Sequence, residues 1–161
     1  YDYYPISRRH DVLSQHLFDE AKGFSDKTTF LKRFCKCIKQ INWVGKYGLF
    51  VAPSSRVGKW NDALLDYVVP ELINETGLID CSRHLYRYKV HEKQAYGGDR
   101  SIKSHLNTIK VSKRIPDMLD GAIIIDDITT TGNIFHACRE LLVDQGIPYM
   151  NIYCFAVGGT V

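Results

Sequence analysis

The chain has 161 residues, a hydrophobic content of 45% and a net charge of +3, which fit a single globular domain and exclude a disordered chain. Its 12 Gly and 5 Pro are too few for a collagen-like or low-complexity protein. The longest apolar runs have about five residues, whereas a membrane-spanning helix needs roughly 20. We therefore expect a soluble domain without a membrane partner.

The charged residues are unevenly distributed along the chain. Between Arg83 and Arg114, nine Lys or Arg stand against two acidic residues, so this basic segment carries +7 and the remainder carries −4. Such a segment favours an anionic partner at one region of the surface. From charge alone, a solvated basic hairpin explains it equally well.

The five cysteines, at positions 35, 37, 81, 138 and 154, do not have the spacing of a zinc site or a disulfide framework. We therefore expect small buried side chains in a reducing compartment, which predicts a cytoplasmic protein. The first residues do not resemble a signal peptide. Because the chain does not begin with Met, an upstream segment is left open.

The first predicted unit is an N-terminal helical segment over residues 1–43. Apolar residues recur at helical spacing from about His10 to Lys22 and again from about Lys27 to Gln40. Gly23 is placed to end the first helix. The predicted core positions of the two helices are Leu13, Leu17, Phe18, Ala21, Phe30, Leu31, Phe34, Ile38 and Ile41.

Residues 44–161 are predicted to form an α/β core in which strands and helices alternate. One predicted helix runs from about Trp60 to Val68, with Tyr67 on its buried face; Pro70 is placed to kink or end it and to start a further turn through Asn74. Another predicted helix covers 134–145. The predicted strands are 47–53, 85–90, 108–111, 121–127 and 151–157. This order predicts an open, mainly parallel sheet flanked by helices, with functional loops at the carboxyl ends of its strands.

The most informative motif is AIIIDDITTTGN, residues 122–133. It combines an apolar strand, two carboxylates at the strand exit, a hydroxyl-rich turn and the start of a helix, whose N-terminal amides can bind a phosphate. Because adjacent residues of a strand point to opposite sides, Asp126 and Asp127 can contact ribose hydroxyls on one side and a magnesium shell or a buried support on the other. A strand ending in Asp, followed by Thr as a helix cap, is a common structural alternative.

Residues Ile123 to Gly132 resemble the signature of type I phosphoribosyltransferases, which bind phosphoribosyl pyrophosphate (PRPP), and are most similar to that of the competence-protein-F-like (ComF-like) members. The resemblance extends loosely from Tyr47 to Val157 and implies the type I phosphoribosyltransferase fold. It implies that Asp126 and Asp127 hold the ribose hydroxyls, and that magnesium enters with PRPP and is contacted by Asp126 or Asp127 through water. The implied ligands of the 5-phosphate are Thr129, Thr130, Thr131, Gly132 and Asn133.

The resemblance also assigns two loops to the pyrophosphate of PRPP. The residues in the position of the family's pyrophosphate-binding loop are Ser54, Ser55, Arg56 and Lys59. An ordinary loop with a serine helix cap is equally compatible with them. Residues 92–107 match the position, length and charge of the family's flexible loop, which would supply Arg100 and Lys103 as catalytic residues, with Arg87 or Lys89 at its base.

The reaction implied by the resemblance is magnesium-assisted displacement of pyrophosphate from PRPP by a nitrogen acceptor, a nucleobase or related small molecule. The N-terminal segment takes the place of the acceptor-recognising hood, with stacking candidates Tyr3, Tyr4, His10, Phe18 and Phe30. Thr130 stands where base-salvage members often carry a carboxylate, so a non-catalytic domain that senses PRPP or a nucleotide is the alternative. No nucleic-acid-binding motif accompanies the basic segment, so nucleic acid is disfavoured as a partner, and a homodimer is left open.

Overall fold

The computed structural model describes residues 4–6, 29–90, 101–112, 115–116 and 119–160. Within these ranges, five strands form an all-parallel main sheet in the order β1-β7-β6-β2-β3, and two further strands, β4 and β5, pair with each other in antiparallel fashion. The strands are β1 (Tyr4–Ile6), β2 (Tyr47–Val51), β3 (Ile79–Asp80), β4 (Leu85–Arg87), β5 (Ile109–Val111), β6 (Gly121–Thr129) and β7 (Ile152–Thr160).

In the part of the chain that the structure describes, four α-helices accompany the strands: α1 (Thr29–Lys39), α2 (Val69–Thr76), α3 (Ile102–Leu106) and α4 (Asn133–Val143). A π-helical segment, Leu64–Val68, leads directly into α2, and a 3-10 turn, Tyr149–Asn151, precedes β7. Within the described ranges, no helix combines the length and the apolar character needed to cross a lipid bilayer.

Strand β6 is apolar because both of its faces are covered, as is typical of a central parallel strand. Ile123 and Ile125 pack with side chains of α1 and α2 on one face, whereas Ala122 and Ile124 pack with side chains of α4 on the other. Because successive strand residues alternate between the faces, one strand serves both halves of the core. The predicted parallel α/β architecture with flanking helices is therefore confirmed.

Helix α1 confirms the predicted helix over residues 27–40 and belongs to the core of the domain. Its residues Leu31, Cys35 and Ile38 are buried in the same cluster as Ile123. Ile41 was predicted on this buried face and is exposed, because α1 ends before it. Strand β1, which pairs with the edge of β7, was not predicted, and the predicted helix over residues 10–22 lies outside the described residues.

Of the predictions for the region after β2, the burial of Tyr67 is wrong. Tyr67 is exposed rather than buried, because it lies in the π-helical segment, where the wider turn shifts side chains off the helical period used to predict the face. The π-helical geometry stops at Val68, and Pro70 stands in the first turn of α2, as predicted for a proline that starts a further turn. Helix α2 extends to Thr76, slightly beyond the predicted Asn74.

The cysteines are free thiols at all five positions. Four of them are buried, as predicted, and Cys37 is exposed. Burial raises the pKa of Cys81 to about 12 and that of Cys35 and Cys154 to about 11. These three thiols therefore stay protonated at neutral pH and are poorly suited to act as nucleophiles or metal ligands.

Candidate functional site

Two loops that carry predicted site residues leave the main sheet at the same edge. Strands β2 and β6 are parallel neighbours, with Val51 opposite Ile125, and the Ala52 N–H donates to the Ile125 carbonyl at 2.8 Å. The serine loop (residues 54–59) follows β2, and the threonine turn (residues 130–132) follows β6. Parallel pairing thus brings together residues that are more than 70 positions apart in the sequence.

Asp126 and Asp127 lie within β6, not at its exit as predicted, because β6 continues to Thr129 beside β7. They lie beyond the last residue pair between β6 and β2, so one side of this part of β6 is not covered by β2. Asp126 is half-buried, whereas Asp127 is only 6% exposed. The two acids therefore sit in different environments.

Asp127 is held by hydrogen bonds within the protein. Its Oδ2 accepts from Nδ2 of Asn61 at 2.9 Å, and its Oδ1 accepts from the Ile128 N–H at 2.7 Å. The carboxylate of Asp126 accepts from the Asp127 N–H at 2.8 Å and raises the pKa of Cys138, for which burial is the larger cause. The pair thus divides between the two faces of the sheet, as strand alternation predicted.

Asn61 is a site residue that the sequence interpretation missed. Its Oδ1 accepts from the Leu64 N–H at 3.1 Å, while its side-chain nitrogen donates to Asp127. Asn61 directly precedes the helical residues 62–63, and an Asn that accepts from the amide three residues later is a recognisable cap signal. The second role, as partner of Asp127, has no local signal in the sequence.

The threonine turn connects β6 to helix α4. Gly132 has φ +72°, and its carbonyl accepts from the His136 N–H at 3.1 Å, which begins the helix. Thr130 and Thr131 are exposed, and Asn133 is the first residue of α4 rather than part of the turn. The positive end of an 11-residue helix therefore faces this turn.

Thr129 was predicted as a turn residue and is the last residue of β6. It is only 7% exposed, and its hydroxyl has no hydrogen-bond partner in the part of the chain that the structure describes. A buried hydroxyl without a partner is unfavourable, so it marks a position where a bound polar group would be stabilising.

The serine loop is closed on itself by backbone and hydroxyl hydrogen bonds. The Ser54 N–H donates to the Lys59 carbonyl at 2.9 Å, and Ser54 Oγ accepts from the Arg56 N–H at 3.2 Å. Ser55 is half-buried, whereas the side chains of Arg56 and Lys59 are exposed. The loop therefore presents two cations at the same edge as the threonine turn.

The structure of residues 101–107, in the basic segment, differs from its prediction. The prediction of a loop over residues 92–107 is wrong for its last part, because Ser101 Oγ accepts from the Ser104 N–H at 3.1 Å and caps helix α3. Lys103 lies exposed on α3, which packs against α4, whereas Arg100 lies outside the described residues.

Arg87 was predicted, as an alternative to Lys89, to reach the pyrophosphate from the base of the basic loop. Arg87 is instead 1% exposed, and its guanidinium donates to the Ser54 carbonyl and to Thr108 Oγ1. Lys89 is exposed and lies over the ring of Tyr88 at 5.3 Å. A direct pyrophosphate contact by Arg87 is therefore incompatible with this arrangement.

Among the described residues, no group of three or more His, Cys, Asp or Glu side chains could hold a metal ion. Magnesium commonly binds proteins through one or two carboxylates together with phosphate oxygens of a substrate. The half-buried carboxylate of Asp126 fits such a shared site. The residues present are thus compatible with magnesium that enters with a phosphorylated ligand.

The chain matches no protein-family model and no curated protein sequence.

Proposed function

We propose that this chain is a phosphoribosyltransferase of the type I fold, which uses PRPP and magnesium to transfer a phosphoribosyl group to a nitrogen acceptor. The observation that carries the proposal is that the serine loop and the threonine turn follow neighbouring parallel strands at the same end of the sheet, with Asp126 on β6 just beyond its last pair with β2. One loop offers a helix N-terminus and hydroxyls to a phosphate, and the other offers two cations. PRPP carries a monophosphate and a pyrophosphate on one ribose, so it matches two anion-binding loops that flank a carboxylate.

The threonine turn would hold the 5-phosphate of PRPP through the hydroxyls of Thr130 and Thr131 and the backbone of Gly132 and Asn133. The unpartnered hydroxyl of Thr129 supports this assignment. Asp126 would accept hydrogen bonds from the ribose hydroxyls, because it is the more accessible of the two acids. Asp127 would not contact the ligand, and its hydrogen bond with Asn61 would hold this part of β6 in place.

In the proposed reaction, the bond between the anomeric carbon of PRPP and its pyrophosphate oxygen breaks while a bond to the acceptor nitrogen forms. The leaving group takes the electron pair and departs as pyrophosphate, and the acceptor nitrogen releases its proton. Negative charge grows on the pyrophosphate, so Arg56 and Lys59 of the serine loop and Lys103 of α3 would stabilise the transition state electrostatically. Bound magnesium would supply further positive charge to the pyrophosphate oxygens.

A second candidate is a domain that binds PRPP or a nucleotide as a regulatory signal and transfers nothing. The observation that favours it is the composition of the threonine turn, which contains Thr130 and no carboxylate that could act as a general base. The same anion-binding loops would then serve recognition alone. The free thiols at all five cysteines support a reducing, cytoplasmic setting for either candidate.

The proposal is tested by a ligand screen in two stages. Thermal unfolding is measured with PRPP, ribose 5-phosphate and nucleoside monophosphates, each with and without magnesium, because a ligand that binds only the folded state raises the unfolding temperature. Pyrophosphate release from PRPP is then measured with candidate nitrogen acceptors. Stabilisation by PRPP together with acceptor-dependent release supports the transferase, and stabilisation without release from any acceptor supports the sensor.

Two threonine variants provide the matched control for this screen. Thr131→Val removes an exposed hydroxyl of the threonine turn, and Thr76→Val removes a hydroxyl at the end of α2, remote in sequence from both loops. We expect the first variant to reduce the stabilisation by PRPP and the second to leave it unchanged. Absence of any stabilisation by PRPP in the unmodified protein would refute both candidate functions.

A further inference from the structure

Arg87 connects the serine loop to the end of helix α3. Its Nε donates to the Ser54 carbonyl at 2.7 Å, while its terminal nitrogens contact Thr108 Oγ1 and, at 3.4 Å, His105 Nδ1. Its own carbonyl accepts from the Gly58 N–H at 3.0 Å. One residue thus holds both sides of the serine loop and two residues at the carboxyl end of α3.

The burial of this guanidinium makes the connection specific to arginine. Arg87 is 1% exposed, and a guanidinium remains charged at any ordinary pH, so the charge must be compensated where it lies. Burial lowers the pKa of Arg87, and the carboxylate of Asp126 opposes that effect. Lysine has a single nitrogen and cannot span the same acceptors, which lie on two separate segments.

We propose that Arg87 is a positioning residue that couples the order of the serine loop to the order of residues 101–108. The coupling itself stands on the contacts of Arg87. Its purpose rests on the proposed function, because Arg56 and Lys59 on the loop and Lys103 on α3 would then be aligned toward the same pyrophosphate. Arg87 would act through these residues without touching the ligand.

The coupling is tested by amide hydrogen exchange in the absence of any ligand. Arg87→Lys is expected to raise the exchange of residues 54–59 and 101–108 together, by about tenfold or more, while residues 122–125 of β6 stay protected. Arg83→Lys, an exposed arginine of the same basic segment, is the matched control and should change neither segment. Faster exchange in only one of the two segments would overturn the coupling.

Thr108→Val provides a second and milder variant, because it removes one acceptor of Arg87 and leaves the guanidinium in place. We expect it to raise the exchange of residues 54–59, although Thr108 lies outside the serine loop. This effect should vanish in the Arg87→Lys background, because the transmitting residue is then absent. Thr76→Val, which removes a similar hydroxyl at the end of α2, should not affect the serine loop. An unchanged loop in Thr108→Val would also overturn the proposal.

A ligand arm separates failure of the coupling from failure of the proposed function. In the unmodified protein, we expect PRPP and magnesium to slow the exchange of both residues 54–59 and residues 101–108. In Arg87→Lys, we expect them to slow the exchange of residues 54–59 only. Protection of both segments in Arg87→Lys would contradict the coupling. If PRPP protects neither segment of the unmodified protein, the proposed function fails, and the ligand-free comparison still decides the coupling.

Discussion

Asp126 and Asp127 are neighbours in the sequence with different surroundings, and they should therefore respond differently to the same substitution. Both carboxylate oxygens of Asp127 accept hydrogen bonds, so Asp127→Asn places a donating NH2 group opposite an N–H donor. We therefore expect the free energy of unfolding to fall by about 1–3 kcal/mol. Asp126→Asn affects a half-buried carboxylate, and we expect a smaller loss of stability but a fall in PRPP affinity of about tenfold or more.

Chemical denaturation and calorimetric titration with PRPP and magnesium distinguish the two acids. Each variant serves as the control for the other, because the substitution is identical and the positions are adjacent. If both variants lost affinity and stability equally, the assignment of Asp126 to the ligand and Asp127 to the scaffold would be wrong.

At this scale, the sequence predicted that the two acids point apart, because strand alternation is a local rule. It did not reveal which acid is buried, since that depends on Asn61, which lies 66 residues before Asp127. Arg87 shows the same limit. Its basic character favoured a surface contact with an anion, and its burial follows from carbonyl and hydroxyl acceptors on two other segments.

The turn between β6 and α4 depends on a backbone conformation that disfavours side chains. Gly132 and Gly77 both have φ +72°, at the beginning of α4 and at the end of α2 respectively. Alanine in this conformation is destabilising by about 1–2 kcal/mol, so Gly132→Ala and Gly77→Ala should lower the unfolding free energy by similar amounts. Only Gly132→Ala should weaken PRPP binding, because only Gly132 lies in the threonine turn. Isothermal titration measures the affinities, and equal PRPP affinities in the two variants would argue against a phosphate site at this turn.

Helix α3 carries Lys103, which the proposed function assigns to the departing pyrophosphate. Lys103 is exposed on α3, and α3 packs against α4. If Lys103 contacts the pyrophosphate only as negative charge develops, Lys103→Met should lower kcat for pyrophosphate release about tenfold or more while KM for PRPP changes little. Lys36→Met, an exposed lysine of α1, is the control. An increase in KM with unchanged kcat would instead assign Lys103 to ground-state binding.

Among the elements, those with a long apolar period were predictable and the short ones were not. Helices α1 and α4 have 11 residues each, and their buried positions repeat at helical spacing. Helix α3 has only five residues and none of them is buried, so it left no apolar pattern among the polar residues around it. Strand β3 has two residues, and β1 is recognisable only through its pairing with β7.

The alternation of strands and helices in the sequence predicted a parallel α/β architecture. It did not predict the order of the strands in the sheet. An apolar strand such as β6 indicates coverage on both faces, but any of several parallel orders would provide that coverage. The observed order places β2 beside β6, so the serine loop and the threonine turn leave the sheet at the same end of neighbouring strands. The candidate site is therefore a consequence of topology, because its two halves could be identified separately in the sequence but not placed relative to each other.

The buried thiols should make the folded state sensitive to alkaline pH. Burial, followed by the charge of Asp80, raises the pKa of Cys81 from 9.0 to about 12. Above about pH 9 the unfolded chain therefore releases a proton that the folded chain retains, so stability falls as pH rises from about 9 to about 12, by up to about 1.4 kcal/mol per pH unit for this group. Cys81→Ala removes this contribution, and its stability deficit relative to the unmodified protein should shrink by about 2 kcal/mol between pH 8 and pH 10.5 in urea denaturation under reducing conditions. A deficit of Cys81→Ala that does not change with pH would mean that the Cys81 thiol is not shielded from solvent in the folded protein.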